Sequence, residues 1–304
     1  MQMPFTKYLR KTMRKKMKTA ASVFERHNVM LNFFRVLIVL FLDVLPAKWC
    51  KKIFLLGSNG KETRAKTCVS AAKSFKALEA IYTFDASKAK GMDRFWGSFL
   101  SNSGAIRNRL LLTKREIDKA VQKISERKDK VCILSLASGS ARAVIETIAE
   151  LEEVHRNRIF VRFVDISQEV LDYSRKLTQT HGLNGNLEWY RCSVFDADKF
   201  CKGFKPDIVE MVGMLDYLND SQAIKLISLI RRNLTLGGRL ITCNIVPNIE
   251  QPFITKGLNW PMIYRTSEQL KELMFRAGFA SDDVKIFLEP LGIHALCVAN
   301  NQGH

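Results

Sequence analysis

The sequence has little proline or glycine, with 7 Pro and 16 Gly among 304 residues, which excludes collagen-like chains and long flexible linkers. Hydrophobic residues make up 47% and charged residues 26%, so a sizeable core can form and wholesale disorder is excluded. The seven cysteines form no Cys-x-x-Cys pair, and several lie within apolar runs. We therefore predict buried, reduced thiols in a reducing compartment and no metal site.

The sequence also lacks a long uncharged apolar run. The longest apolar segment, residues 29–45, is interrupted by Arg35 and Asp43, whereas a membrane-spanning helix needs about 20 apolar residues. No small-x-small cleavage site follows it, which argues against a signal peptide. The segment instead predicts an amphipathic helix with a narrow polar stripe.

Positive charge is concentrated in the first part of the chain. Residues 1–130 carry 29 Lys and Arg against 10 Asp and Glu, whereas residues 131–304 carry 19 against 20. Residues 5–24 predict a basic amphipathic helix ahead of the apolar one, and such a pair suits an anionic membrane surface. The alternatives are a helical pair packed on the protein's own core and a nucleic-acid-binding arm. We expect a cytoplasmic protein, held peripherally on the inner face of the membrane through residues 1–52.

The pattern of predicted secondary structure changes near residue 131. Residues 53–130 predict helices, among them one over 62–81 and one over 103–127. Short apolar strands then alternate with helices, which indicates a parallel sheet covered on both faces. The predicted strands are 131–136, 160–166, 186–194, 206–213, 239–246, 283–289 and 294–300.

A Pro-Leu-Gly turn at 290–292 makes the last two strands an antiparallel pair at one edge of the sheet. The predicted fold is α/β, a Rossmann-like doubly wound sheet of seven strands preceded by a helical N-terminal region. The predicted divisions are a basic region, 1–52, a helical cap on the acceptor side, 53–130, and a Rossmann-like domain, 131–304.

The turn after the first strand resembles a cofactor-binding loop. Ala137, Gly139 and Ala141 occupy the alternate positions of a G-x-G-x-G turn, where small residues let a ligand approach the backbone. Asp165 ends the second strand, where a carboxylate can accept hydrogen bonds from two ribose hydroxyls. The alternative is that Asp165 or Ser167 simply caps the next helix.

Four later segments, taken in order, resemble the class I S-adenosylmethionine-dependent methyltransferases over about residues 131–300. These segments read VDISQEVLDYSRKL, PDIVEMVGMLDYLND, LIRRNLTLGGRLI and YRTSEQLKELMFRAGF. LSLASGSAR, GMLDYL and IRNRL are also similar to phrases in a bacterial branch that includes synthases of hydroxy-fatty-acid methyl ester signals. The resemblance implies S-adenosyl-L-methionine as the cofactor.

The resemblance also implies roles for particular residues. The loop would hold the amino-acid part of the cofactor, Asp165 its ribose and Ile166 its adenine. Ser193 and Val194 would meet the adenine edge, and the end of the fourth strand would line the methyl-transfer site. Ser135 and Ser193 depart from the acidic residues that are common at those two positions. The cofactor-binding residues implied are Ala137, Ser138, Gly139, Ala141, Asp165, Ile166, Ser193, Val194, Met211 and Gly213.

Transfer of a sulfonium methyl depends chiefly on positioning. A carboxylate acceptor needs a cation to hold it, and the candidates are Arg107, Arg109 and Arg265. A hydroxyl or amine acceptor needs a proton acceptor nearby. The available side chains for that role are Asp216, Tyr217, Tyr264 and His294.

These observations favour a methyltransferase acting on a small molecule or lipid, with a fatty-acid carboxylate as one such acceptor. One alternative is an RNA methyltransferase with a basic recognition arm. The other is a non-catalytic scaffold, since the loop has a single glycine and Ser193 departs from the family pattern.

Overall fold

The computed structural model describes residues 24–27, 29–56 and 63–303. The basic helix predicted over residues 5–24 lies almost wholly outside them. The apolar helix predicted over 29–45 is confirmed as α1, Val29–Val44. Among the described helices, none is both long enough and apolar enough to cross a membrane.

Seven strands form one mixed sheet in the order β3-β2-β1-β4-β5-β7-β6. The first five are parallel, while β7 lies antiparallel between β5 and β6, as the predicted edge pair requires. The Rossmann-like fold class is therefore confirmed. The strands are β1, Val131–Leu136; β2, Ile159–Asp165; β3, Leu187–Arg191; β4, Ile208–Met211; β5, Arg239–Ile245; β6, Val284–Leu288; and β7, His294–Asn300.

Helices cover both faces of the sheet. Seven α-helices follow β1 among the described residues, and one of these, α12 (Gln251–Gly257), belongs to the cap described below. The other six are α7, Arg142–Ala149; α8, Glu153–Arg156; α9, Gln168–Thr180; α10, Ala197–Phe200; α11, Asp220–Asn233; and α13, Ser267–Arg276. One apolar core packs α11 and α13 on one face. The other packs α7, α9 and the long helix α6, Ser101–Ser125, on the opposite face.

The remaining helices form a cap beside the carboxyl ends of the strands. These are α2, Ala47–Phe54; α3, Arg64–Ser70; α4, Phe75–Tyr82; α5, Gly91–Phe99; and α12, Gln251–Gly257. They share an apolar core with α1. At its centre Trp96 stacks on Phe253 with ring centroids 6.1 Å apart, and Phe54 lies 5.0 Å from Trp96.

The prediction of one helix over 62–81 is wrong. Helix α3 ends at Ser70 and α4 begins at Phe75, with Lys73 between them at φ +67°. The left-handed backbone conformation of Lys73 interrupts the helical hydrogen bonds. The segment contains no Gly or Pro, which are the residues that usually mark a helix end in a sequence.

The N-terminus of α6 is capped by a buried carboxylate from a distant segment. Glu250 is fully buried, and it accepts hydrogen bonds from the backbone N–H groups of Ser101 at 2.7 Å and Asn102 at 2.9 Å. It also accepts one from Asn102 Nδ2 at 2.8 Å. An anion at a helix N-terminus satisfies free N–H groups and complements the helix dipole.

We expect Glu250→Gln to lower the free energy of unfolding by about 2–3 kcal/mol, because it replaces charge-assisted hydrogen bonds by one neutral acceptor and one misplaced donor. Urea denaturation followed by circular dichroism measures the change. Glu272→Gln, at an exposed site on α13, is the matched control and should shift stability by no more than about 0.5 kcal/mol. Equal stability of the two variants would show that this cap contributes little.

Candidate active site

A cavity of about 700 Å³ lies between the carboxyl ends of the strands and the cap helices. This edge of a doubly wound sheet is where ligands bind, and the volume is within the range of about 300–1,000 Å³ for small-molecule sites. On the sheet side its lining comes from the loops after β1, β2 and β4. On the cap side its lining is mostly apolar and includes Phe54, Ile81, Leu100, Ile106, Ile254 and Leu258.

The loop after β1 has a left-handed backbone at all three alternate positions. The φ angles are +48° at Ala137, +51° at Gly139 and +53° at Ala141, although two of these residues carry a Cβ. The Ala141 N–H donates to the Ser138 carbonyl at 2.7 Å, which closes the turn before α7 begins. Ala137 and Gly139 line the main cavity, while Ser138 and Ala141 line a neighbouring cavity of about 70 Å³.

Asp165 lies at the end of β2 and joins this loop to the next one. Its Oδ2 accepts a hydrogen bond from the Gly139 N–H at 3.1 Å, and its Oδ1 accepts one from the Ser167 N–H at 3.0 Å. Ser167 caps α9 through its own Oγ, so Asp165 is not needed as the cap. The half-buried carboxylate and the exposed Ile166 both line the cavity.

The structure does not bring every predicted cofactor residue to the cavity. Val194 and Met211 are buried in the core, and the Ser193 Oγ accepts a hydrogen bond from the Phe195 N–H at 3.2 Å. The wall after β4 is formed instead by Val212, Gly213 and Met214. Strand β4 ends at Met211, and the next side chains along the chain reach the edge of the sheet.

Strand β1 has Ser135 at a position where an acidic residue was expected, and the carboxylate of Glu210 on β4 lies beside it. The Ser135 Oγ donates to Glu210 Oε2 at 2.6 Å, and the two residues are paired in the β1–β4 register. Burial raises the pKa of Glu210 to about 7. Sequence reasoning registered the departure at Ser135 but missed its partner, although a lone glutamate within an apolar strand was the available signal.

Arg109 is the predicted cation that faces the cavity. The side chain is only 4% exposed, and its Nη2 donates to Tyr82 Oη at 3.2 Å. Its Nη1 lies 4.0 Å from both Asp216 Oδ2 and Cys243 Sγ, and its Nε has no hydrogen-bond partner. Burial acts to lower the pKa of Arg109, but Tyr82, Cys243 and Asp216 together raise it above the ordinary value, so the group is a cation.

Arg107 and Arg265 point elsewhere, so the structure does not support acceptor-binding roles for them. Arg107 pairs with Glu25 and lies outside the cavity lining. Arg265 is buried, with its guanidinium bonded to Asp220 Oδ1 at 2.8 Å and Asn244 Oδ1 at 2.7 Å. These two arginines hold loops together, a difference from Arg109 that residue type alone does not reveal.

Three other predicted polar residues line the cavity beside Arg109, namely Asp216, Tyr217 and His294. Asp216 is buried, and its Oδ1 accepts hydrogen bonds from Asn244 Nδ2 at 3.0 Å and the Ile245 N–H at 2.8 Å. Burial raises the pKa of Asp216 to about 6, against the opposing effect of Arg109. Tyr264 lies outside the lining.

Tyr217 is partly exposed, and its Oη accepts a hydrogen bond from Trp260 Nε1 at 2.7 Å. Burial raises the pKa of Tyr217. Cys243 is fully buried and burial raises its pKa to about 12, so it is no nucleophile at neutral pH. Among the described residues no cluster of His, Cys, Asp and Glu could hold a metal ion.

An ion-pair network that the sequence did not reveal holds the cap over the loop. Glu79 on α4 accepts hydrogen bonds from Arg142 Nε at 3.0 Å and Tyr173 Oη at 2.6 Å. Burial raises the pKa of Glu79, but these hydrogen bonds lower it below the ordinary value. Arg142 is the first residue of α7, so the network joins α4 to the helix that follows the loop of residues 137–141.

Known proteins resemble this chain in sequence profile and in fold. A family model described as "Putative methyltransferase" matches residues 56–301. None of the curated proteins matches the chain.

The solved structures below are each under 25% identical to this chain and therefore bear on its fold alone. A possible exported protein from Bordetella parapertussis has a TM-score of 0.65 at 15% identity, covering 84% of this chain and 94% of that one. An O-methyltransferase family protein from Burkholderia thailandensis has a TM-score of 0.50 at 14% identity, covering 89% and 72%. The S-adenosylmethionine-dependent methyltransferase SibL has a TM-score of 0.51 at 12% identity, covering 83% and 74%.

We expect Asp165→Ala to weaken binding of S-adenosylhomocysteine by about 10- to 100-fold, because it removes a charged acceptor from the cavity wall. Calorimetric titration measures the affinity. Asp172→Ala, an exposed site on α9, is the matched control and should leave the affinity unchanged. Unchanged affinity in both variants would show that the ribose position is misassigned.

Proposed function

Because this chain belongs to the methyltransferase family that matches residues 56–301, we propose that it methylates the carboxylate of an apolar small molecule or lipid. The enzyme is an S-adenosylmethionine-dependent methyltransferase with a Rossmann-like fold. The acceptor is the part of this assignment that we infer. The single observation that carries it is the buried, incompletely paired Arg109 in a mostly apolar cavity.

The residues of the main cavity fit this cofactor. Backbone groups of the 137–141 loop would hold its amino-acid part, Asp165 would accept hydrogen bonds from its ribose, and Ile166 would lie against its adenine. A Cβ at Gly139 would meet no atom within 4 Å, so the loop leaves open space there. Bound in this way, S-adenosylmethionine would supply a methyl group activated by its sulfonium sulfur. A carboxylate oxygen could take that methyl as an ester, with S-adenosylhomocysteine as the other product and no proton transfer.

Arg109 has the chemistry to hold such a carboxylate. A buried cation is costly unless it is paired, and its nearest anionic atom, Asp216 Oδ2, is 4.0 Å away. Nε has no partner, so the guanidinium retains a donor for a further oxygen. Gly213 lies beside Arg109, and its φ of +94° is a backbone conformation that favours glycine.

The cap side of the cavity is mostly apolar, so we infer that the rest of the acceptor is mostly apolar as well. Phe54, Ile81 and Leu100 come from three elements of the cap region and offer no strong hydrogen-bonding groups. Burial of apolar surface contributes roughly 25 cal/mol per Å² to binding. A long hydrocarbon chain with a terminal carboxylate satisfies both halves of the site.

We expect Arg109→Met to lower kcat/KM for methylation of a long-chain carboxylic acid by about 30- to 1,000-fold, the cost of removing one partner of a buried charge pair. Transfer of labelled methyl from S-adenosylmethionine to a series of fatty acids measures this. Arg107→Met, two residues away on α6 but outside the cavity, should retain activity. S-Adenosylhomocysteine should still bind Arg109→Met, which shows that the fold is intact.

Two outcomes of the methylation assay would contradict this assignment. Full activity of Arg109→Met would exclude this arginine as the carboxylate site. Methylation of alcohols but of no carboxylic acid by the unaltered enzyme would move the acceptor role to the side chains that can take a proton, Asp216 and His294.

The outer face of the cap supports a second part of the proposal, docking on an anionic membrane surface. Helix α1 buries Val39 and Leu42 but leaves a row of large apolar side chains at least half exposed, namely Phe33, Phe34, Leu37, Leu40, Phe41 and Val44. On α2, Trp49 is 58% exposed with Lys52 Nζ 5.4 Å from its ring centroid, and Lys48 and Lys51 are exposed. An apolar face beside Trp and Lys is typical of an interfacial helix.

Charge and location support an anionic membrane as the proposed occupant of this face. Residues 1–27 of the sequence carry eight Lys and Arg against one Glu, which complements anionic lipid. On the opposite side of α2, Phe54 lines the acceptor cavity. Helix α2 would therefore border both the membrane and the binding site of an apolar acceptor.

We expect the full-length protein to sediment with phosphatidylglycerol–phosphatidylcholine vesicles at low salt and to be released at high salt. The double change Phe34→Ser and Phe41→Ser should weaken this partitioning at least about tenfold, because two inserted rings are lost. Leu236→Ser, an equally exposed apolar site in the loop before β5, is the control and should have no effect.

Two results would overturn the docking proposal. One is equal binding of the double variant and the control. The other is a dimer in sedimentation velocity that the double change dissociates while vesicles bind neither protein, which would identify a second copy of the chain as the occupant.

A further inference from the structure

His294 occupies the acceptor side of the cavity because of the direction of β7. Strand β7 is antiparallel to β5, and His294 is paired with Ile245, the last residue of β5. The first residue of β7 therefore lies at the carboxyl edge of the parallel strands, where the cavity is. A parallel strand in this position would have put its last residue there instead.

The backbone of His294 is held by a second buried carboxylate. Glu289 is 2% exposed, and its Oε1 accepts hydrogen bonds from the Ile293 N–H at 2.7 Å and the His294 N–H at 3.4 Å. Its Oε2 accepts hydrogen bonds from the Leu291 N–H at 2.8 Å and from Asn108 Nδ2 at 3.0 Å. The turn before β7 is thus fixed to α6, the helix that carries Arg109.

The imidazole of His294 has no partner although it is buried. Its residue is 2% exposed, and neither Nδ1 nor Nε2 makes a hydrogen bond. An unsatisfied buried polar group costs about 1–3 kcal/mol, so folding alone would favour an apolar side chain here. The ring borders the same cavity as Arg109, which makes a ligand the natural partner.

The charges around His294 keep the ring neutral. Burial and the Arg109 cation lower the pKa of His294 well below its usual range. Asp216 lies on the cavity wall nearby, but its carboxylate is engaged by Asn244 and the Ile245 N–H, and that of Glu289 is engaged by backbone N–H groups. A neutral imidazole carries one N–H donor and does not act as a cation.

We propose that His294 donates its ring N–H to one oxygen of the acceptor carboxylate while Arg109 holds the group as an ion pair. This inference rests on the proposed function, and it deepens it by assigning two points of contact to the acceptor head group. Two contacts on one carboxylate fix its orientation and leave a lone pair of an oxygen free to face the cofactor side. The same pair disfavours an amine acceptor, because the Arg109 cation repels an ammonium group.

The test compares His294→Leu, which removes the donor, with His294→Asn, which keeps a side-chain N–H. We expect His294→Leu to raise KM for a long-chain carboxylic acid about 10- to 100-fold with a smaller effect on kcat, and His294→Asn to recover part of that loss. Calorimetric titration of a fatty acid into the protein saturated with S-adenosylhomocysteine should show the same order of affinities. Binding of S-adenosylhomocysteine itself should change less than about threefold.

Two further readouts separate this role from its rivals. Because the ring has no partner to lose, His294→Leu should melt no lower than the unaltered protein, whereas a structural histidine would lower the melting temperature. Because the ring stays neutral, the pH profile of kcat/KM for His294→Asn should parallel that of the unaltered enzyme. If His294 were a general base, its replacement would instead remove one limb of that profile and lower kcat.

Failure of this inference differs from failure of the proposed function. If the unaltered enzyme methylates carboxylic acids and both His294 variants match it in KM and in fatty-acid affinity, only the role of His294 is wrong. If the unaltered enzyme binds S-adenosylhomocysteine but methylates no carboxylic acid and binds none, the acceptor class itself is wrong.

Discussion

Backbone N–H groups at the start of α6 are buried far from water, and the carboxylate of Glu250 satisfies them. The arrangement of the whole active site depends on this interaction because α6 packs on the sheet and on the cap helices at the same time. Three consecutive residues then point in different directions. Arg107 contacts Glu25, Asn108 contacts Glu289, and Arg109 enters the cavity. A helix separates successive side chains by about 100°, so a shift of one residue would exchange these roles.

The cavity owes its character to charges that are buried and only partly compensated. Arg109, Asp216 and His294 are almost fully buried, and electrostatic effects between buried groups are stronger than at the surface. Burial and the Arg109 cation lower the pKa of His294 and keep its ring neutral. The Asp216 carboxylate, which could neutralise the cation, is engaged by backbone and amide donors. A substrate group therefore enters a site whose polarity is set before it arrives.

The sequence predicted most of the sheet because apolar periodicity and the order of elements are local signals. It predicted β1 and β7 to the residue, and it placed Asp165, Arg109 and His294 among the site candidates. It could not separate Arg109 from Arg107 and Arg265, since residue type and helix position say nothing about which neighbours arrive from elsewhere in the chain. Glu79, Glu210 and Glu250 were missed for the same reason, because each finds its partner on another element. Lys73 interrupts a predicted helix through a left-handed backbone conformation, which a lysine in the sequence does not indicate.

Two alanines in the loop after β1 limit the conformations that this loop can adopt. Ala137 and Ala141 adopt left-handed backbone conformations, which cost an L-residue roughly 1–2 kcal/mol each. Glycine would adopt them freely, but it would also sample many other shapes before a ligand arrived. With alanine, contacts in the folded protein offset the cost of the left-handed conformation, and the loop has fewer conformations available to it. A loop with fewer conformations has less conformational entropy to lose when a ligand binds.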